Sequence, residues 1–339
     1  MATIKDVAKL AGVAVSTASD ALNNKLGVKS ATRSKVLKAA RKLNYVPNEL
    51  ARGLISNSTK TIGIVLSGPE SFDIFTNPSF FEMVQSIIVV LSKLGYRTQL
   101  NVIPTRDVEQ IVRIAHSRTV DGMLLLGTRG NDFEISKLLK QIPIPYLLVG
   151  RRISSEDVCY VSVDDSVCSS IATEFLIKMG HTRIGYIGEL PGDNLAEQRL
   201  KGYRDTLNKF GLPYDDTIVL PGDFYQESGA SAIRQLLLNK SAYPTAIFVA
   251  NDLMALGVLE GLQREGLRVP DDISIIGCDN IPNLHLLYIP LTTVSIPFYE
   301  IGSIAAEKIV NMINSNSNEP TQILLQCSLR IRNSVKQIV

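Results

Sequence analysis

The sequence predicts a small all-α head, a short linker, and an α/β body of two lobes, each built on a doubly wound parallel sheet. Three observations predict it. Residues 1–60 hold eleven Lys/Arg against three Asp/Glu, a local charge of +8 in a 339-residue chain of net charge +2, so the remainder carries −6. Residues 1–46 contain three short segments of helical apolar periodicity. After Lys60, short apolar runs alternate with longer amphipathic ones, the texture of parallel strands wrapped by helices. The length suits two or three compact units. A basic head without a long apolar stretch points to a polyanionic partner, nucleic acid before a membrane surface.

In the first segment Ile4, Val7, Ala8 and Ala11 fall at i, i+3, i+4 and i+7, so one face is apolar. Thr3 is the expected N-cap, with Asp6 closing a capping box, and Gly12 stops the helix. A second helix from residue 15 buries Ala18, Ala21 and Leu22 and leaves Ser16, Asp20 and Asn23 outward. A third from Ser30 buries Val36, Leu37, Ala40 and Leu43 under a basic exterior. Three such helices with a tight glycine turn between the first two describe a helix-turn-helix unit. The short polar side chains of the second helix suit close entry into a major groove, where hydroxyls and carboxylates reach base edges.

The linker "NYVPNELARGLIS", residues 44–56, holds Pro47, which ends the third helix, and Asn48, which can cap a new one. Helices shorter than about 12 to 15 residues are marginal in water, and Gly53 costs a further ~1 kcal/mol relative to Ala, so this segment is expected to be disordered or fraying without DNA. In the body, strands are expected at 61–67, 96–103, 121–127, 145–150, 183–189, 245–250 and 273–279, with "DVCYVSVDD" near residue 160 opening the second β/α series. Ligands of doubly wound folds bind beyond the carboxyl ends of the strands, here in the cleft between lobes.

Other chemistries lack their residues. Cys159, Cys168, Cys278 and Cys327 are widely spaced without a C-x-x-C pair, and only three histidines are present, so neither a zinc site nor a disulfide framework is expected. No cofactor is indicated. "GIVLSG" lacks the Gly-Lys-Ser/Thr of a phosphate loop, and no G-x-G-x-x-G opens a helix. His181 stands without a Ser, Cys or acid at catalytic spacing and reads as a packing or hydrogen-bonding residue. No export leader and no run near the roughly 20 apolar residues of a membrane span is visible, so the expectation is a soluble, cytoplasmic protein that is not an enzyme.

"TIKDVAKLAGVAVSTASDALNN" and "VKSATRSKVLKAARKLNYVPNELARGL" closely resemble the head of the lactose repressor/galactose repressor (LacI/GalR) family of bacterial transcription regulators. In the body "NPSFFEMVQSI", "MGHTRIGYIG", "QRLKGY", "VANDLMALGVLEGLQREGLRVPDDISIIGCDN" and "IPLTTVSIP" are similar to family signatures, so the resemblance runs essentially to the C-terminus. It implies DNA contacts from Val15, Ser16, Thr17, Ser19, Asp20 and Asn23. It also implies a hinge helix whose Leu54 wedges into the minor groove while Ala51 and Arg52 line it. For the body it implies a two-lobed periplasmic-binding-protein-like (type I) fold with three crossovers between lobes. The expected division is 1–46 for the helix-turn-helix head and 47–60 for the hinge helix and linker. The first lobe takes 61–160 and 293–319, and the second 161–292 and 320–339. Effector contacts are implied for Phe80, Arg199, Phe224, Asn251, Asp252 and Asp279.

Three positions depart from the family pattern. Asp20 stands where Arg is usual, and a carboxylate accepts from cytosine N4 rather than donating to guanine. Gly53 is unusual in the hinge. Arg151 stands where many sugar-responsive relatives carry an acid; beside Arg199 in the cleft it would favour an anionic ligand. The resemblance thus implies an operator-binding homodimer, a repressor by family default, controlled by a sugar, sugar acid or sugar phosphate. No leucine-repeat helix follows the core, so a tetramer is not expected. A phosphoprotein or nucleobase corepressor, a sugar-binding protein without a regulatory role, and an α/β enzyme are the alternatives.

Overall fold

The computed structural model describes residues 2–46, 58–68, 77–104, 107, 109–188, 192, 194–238, 243–315 and 320–338. These divide into two compact units, Met1–Thr59 and Lys60–Val339.

The head holds α1 (Ile4–Ala11), α2 (Val15–Leu22) and α3 (Ser30–Lys42). Thr3 and Asp6 form the expected capping box, and Gly12 closes α1 in the left-handed conformation. Val7, Ala8, Ala18, Ala21, Val36, Ala39 and Ala40 form the core, with Leu22 and Leu43 packed against it. Leu37 is a correction: it is exposed, and Ala39 takes the buried place expected for it. With Val36 and Ala40 inward, the α3 apolar stripe runs through 36, 39, 40 and 43, so 37 falls on the opposite side of its edge. The hinge positions Ala51, Arg52 and Leu54 lie outside the described residues.

The body contains two six-stranded sheets. In chain order the elements are β1 (Thr61–Gly68), α4 (Pro78–Lys93), β2 (Arg97–Pro104), α5 (Glu109–His116), β3 (Gly122–Leu126), α6 (Asp132–Leu139), β4 (Tyr146–Val149) and β5 (Tyr160–Val163). Next come α7 (Asp165–Lys178), β6 (Ile184–Gly188), α8 (Asn194–Lys209), β7 (Val219–Pro221), α9 (Gln226–Leu238), β8 (Ala246–Val249), α10 (Asp252–Arg264) and β9 (Ser274–Asp279). The last are β10 (Thr292–Ser295), α11 (Phe298–Ser315), β11 (Gln322–Leu325) and β12 (Ser328–Arg330). The first sheet has the order β11-β5-β4-β3-β1-β2 and the second β12-β10-β9-β8-β6-β7. Every pairing is parallel except β10 with β12. Central β1, β3, β8 and β9 are buried throughout, as continuous apolar runs require, whereas edge strand β2 is half exposed.

The chain crosses between lobes three times: between β5 and α7, between β10 and α11, and between β11 and β12. This shifts the expected division. Residues 161–163 complete β5 in the first sheet, and 293–295 complete β10 in the second. Gln322–Leu325 pairs with Tyr160–Val163, so part of 320–339 belongs to the first lobe. The helix α11 returns to the first lobe and packs on α4. There Gly302 allows the close approach, because a Cβ would come within 2.5 Å of the backbone Met83 O of α4.

Cys168 of α7 and Cys327 of the third crossover are joined by a disulfide, Cα to Cα 6.1 Å, a single link rather than a disulfide framework. Their 159-residue separation carries no local signal. Cys159 and Cys278 are buried free thiols.

Candidate functional site

The head presents α2 as an outward helix. Val15 and Ser16 are exposed, and Thr17, Ser19, Asp20 and Asn23 are half-buried. Asn23 Nδ2 donates to Ser19 Oγ at 3.3 Å, and Asp20 Oδ1 lies 3.1 Å from Lys25 Nζ. This exposed pair orients the carboxylate while leaving it near water. Ala14 supplies no side-chain cap to α2, and the first turn carries no acid, so the positive end of the helix is open to a phosphate oxygen.

In the body, a cavity of about 440 Å3 lies between the lobes at the carboxyl ends of the strands. That is within the range of about 300–1,000 Å3 usual for small-molecule sites. Phe80, Arg151, Arg199, Phe224, Asn251 and Asp279 all line it; Asp252 does not.

Each lining residue is held by its local fold. Asn251 caps α10, its Oδ1 accepting from Met254 N at 2.9 Å, while its Nδ2 donates to Phe224 O at 3.0 Å. That bond holds Phe224 at φ 75°, a left-handed conformation that aims its ring at the cavity. Across the cleft, Gly127 has φ 68°, and a Cβ there would come within 2.3 Å of Ser67 O and 3.3 Å of the Phe80 ring. Only glycine lets that loop pass behind Phe80.

Asp252 is the correction among the sequence-derived contacts. It is fully buried, and Oδ2 accepts from Asn280 N at 2.6 Å and Ile281 N at 3.0 Å, while Oδ1 accepts from Thr293 Oγ1 at 2.7 Å. Burial pushes its carboxyl up to about 7, against the pull of these donors. Its position pins the turn after β9, where Asp279 sits at φ 122° and Asn280 at φ 63°. Asp279 is thereby aimed at the cavity, where Ser79 Oγ donates to its Oδ2 at 3.4 Å from the other lobe. Asp252 positions a cavity residue instead of lining the cavity.

The two arginines reach the wall, but each is matched. Arg199 Nε donates to Asp165 Oδ1 at 3.0 Å and Nη1 to Ala250 O at 2.6 Å. Arg151 donates from Nη1 to Thr128 O and from Nη2 to Gly130 O, each at 2.6 Å, and lies 3.6 Å from Asp132. Arg151 and Arg199 therefore both line the cleft, and each charge is offset by a carboxylate, Asp132 and Asp165 respectively. Setting these two ion pairs aside, the other charged lining residues are Arg129, Asp223 and Asp279.

Sequence reasoning missed Arg129, Ser79 and Tyr225, which also line the cavity. The Arg129 guanidinium lies 4.0 Å from the centre of the Phe224 ring, joining the two lobes, and Asn194 Nδ2 donates to Asp132 Oδ1 at 2.7 Å across the same cleft. Arg129 lies three residues beyond the end of β3, so the rule that ligands sit beyond strand carboxyl ends pointed at it. His181 is a hydrogen-bonded residue, its ring nitrogens 2.9 Å from Thr245 Oγ1 and 3.2 Å from Lys336 O.

Residues 3–48 match the family described as "Bacterial regulatory proteins, lacI family", and residues 173–335 match the "Periplasmic binding protein-like domain". The HTH-type transcriptional regulator CelR of Thermobifida fusca is 34% identical over 336 residues, 98% of either chain. The chain belongs to the lacI family. The family member CytR of Escherichia coli (strain K12), an HTH-type transcriptional repressor, is 34% identical over 340 residues, 99% of this chain and 97% of that one. Among solved structures, the lac repressor dimer bound to operator and the anti-inducer ONPF has a TM-score of 0.88 at 25% identity, covering 99% of each chain. A CelR–cellobiose complex has a TM-score of 0.75 at 32% identity, covering 98% of this chain and 100% of that one. As a family member this protein is a helix-turn-helix transcriptional regulator. No helix among the described residues is long and apolar enough to cross a membrane.

Proposed function

We propose that the protein is a repressor that binds a pseudo-palindromic operator as a homodimer and is controlled by a neutral, hydroxyl-rich ring ligand in the interlobe cavity. In this reading Val15, Ser16, Thr17, Ser19, Asp20 and Asn23 read the half-site, with Ala51, Arg52 and Leu54 at its centre. Two-fold symmetry of the dimer is mirrored in the operator. The ligand is held by Phe80, Arg151, Arg199, Phe224, Asn251 and Asp279, and Asp252 fixes the last of these.

The observation that carries the ligand class is the cavity itself. It combines an aromatic plate, Phe224, with both donors and acceptors, Arg199, Asn251 and Asp279. Hydroxyl groups donate and accept at once and suit such a mixed lining. Compensation of Arg151 by Asp132 and of Arg199 by Asp165 removes the reason to favour a sugar acid or phosphate. A ligand that favours one lobe arrangement shifts DNA affinity by no more than its differential affinity for the two arrangements.

The test is thermal unfolding across neutral mono- and disaccharides, sugar acids, sugar phosphates and nucleosides. A ligand at 100 times its Kd adds about 2.7 kcal/mol, seen as a raised midpoint. Neutral sugars are expected to score. A response confined to sugar acids or phosphates would refute the assignment, and one confined to nucleosides would replace it.

A further inference from the structure

We propose that Cys168 and Cys327 form a thiol-redox switch that sets the freedom of the interlobe hinge. The proposal rests on the reading of the protein as an allosteric DNA-binding regulator. Position within the fold carries it. Cys327 lies in the third crossover, between β11 of the first sheet and β12 of the second. Cys168 lies in the first turn of α7, just after the first crossover, and its N–H donates to Asp164 O at 3.0 Å. A bond between them clips the third crossover to the helix that the first crossover feeds, which restricts how that connection moves as the lobes rearrange.

A regulator acts beside DNA, in the compartment where thiols are kept reduced, and disulfides there are characteristically transient and redox-sensing rather than permanent staples. The two sulfurs are also unequal. Cys168 is fully buried, whereas Cys327 is half-buried and open to attack. A small-molecule thiolate attacks Cys327 Sγ, the S–S bond breaks, and Cys168 leaves as a thiolate. Cys168 then takes up a proton, and a second small thiol displaces the first from Cys327 as a free disulfide. In the oxidising direction a hydroperoxide converts the Cys327 thiolate to sulfenic acid. Cys168 displaces hydroxide from that sulfur, so two thiols and one hydrogen peroxide give one disulfide and two waters.

The experiment uses the full chain. Protein treated with hydrogen peroxide or with dithiothreitol is alkylated, digested and mapped for a Cys168–Cys327 peptide pair. Each form is titrated against a duplex recovered by selection on the reduced protein. The expected result is a reversible linked pair and an affinity difference of about fivefold or more, the lower end of typical coupling between sites. Cys327→Ser, and independently Cys168→Ser should the first fail to fold, is expected to lose both. Absence of the pair after peroxide, or equal affinity of the two forms, overturns the proposal. Failure of selection to recover any duplex, with the linked pair present, would instead count against the regulator reading and remove the basis of the switch with it.

Discussion

Replacing Asp252 separates a positioning role from a ligand-contact role. In Asp252→Ala the N–H groups of Asn280 and Ile281 and the Thr293 hydroxyl lose their buried acceptor together. Each stranded donor costs about 1–3 kcal/mol, and relief of the buried carboxyl offsets part of the sum, leaving about 3–5 kcal/mol. At about 2–4 °C per kcal/mol for a unit of this size, the midpoint should fall by about 6–20 °C. Asp252→Asn keeps the shape: its amide oxygen serves the two backbone N–H groups, and its NH2 donates to Thr293 Oγ1, which accepts in place of donating. That variant should cost less than about 1.5 kcal/mol. The pH dependence supplies a second readout. A carboxyl at about 7 in the fold binds a proton that the unfolded chain releases near 3.8. This contribution is complete below 3.8 and is lost as pH rises through 7. Relative to Asp252→Asn, the parent midpoint should therefore fall between pH 5 and 8. Calorimetry of both variants across that range is the assay. An Asp252→Ala midpoint within about 2 °C of the parent, less than 1 kcal/mol, would refute the account of Asp252 as the pin of the β9 turn.

Phe224→Ala should weaken effector binding by about 2- to 13-fold, the worth of one aromatic contact of about 0.5–1.5 kcal/mol, with operator affinity in the absence of effector unchanged by titration calorimetry and gel shift. Asp20→Ala should change head stability by less than about 1 kcal/mol, since its partner Lys25 is exposed, yet alter the base preferred at one half-site position in a binding-site selection. Burial pushes the His181 imidazole below its usual 6.5, so its stabilising contribution is complete above that value and lost as pH falls through the folded value. His181→Gln should flatten the melting profile between pH 7 and 5.

The parts of the fold visible in the sequence were those that bury a continuous apolar run. The strands β1, β3, β6, β8 and β9 announce themselves in "TIGIVLSG", "GMLLL", "IGYIG", "AIFV" and "SIIGCD" because both of their faces are covered. The strand β7 is three residues at a sheet edge, and β11 and β12 are short and partly exposed, so their composition reads as loop. Residues of the site were legible where one motif holds both residue and neighbour, as with Asn251 at the cap of α10. They were not where the decisive partner is distant in sequence. Asp252 meets Thr293, Arg199 meets Asp165, and Arg151 meets carbonyls at 128 and 130, so a residue type that suggested ligand contact or net charge proved to be already engaged.

The return of α11 to the first lobe has a consequence for how the chain is made. Ile301, Ala305, Ala306 and Ile309 of α11 are buried, and the helix lies against α4, β3, β4 and β5. During synthesis those earlier elements emerge without their cover, while the 152 residues from Asp164 to Ser315 follow. At bacterial elongation speeds of about 5–20 residues per second, that is a wait of roughly 8–30 s. The second lobe, made within that interval, buries most of its own core before the first can close. The lobe that begins first therefore waits for its apolar cover until most of the second has been made, although β12, the last strand, completes the second sheet.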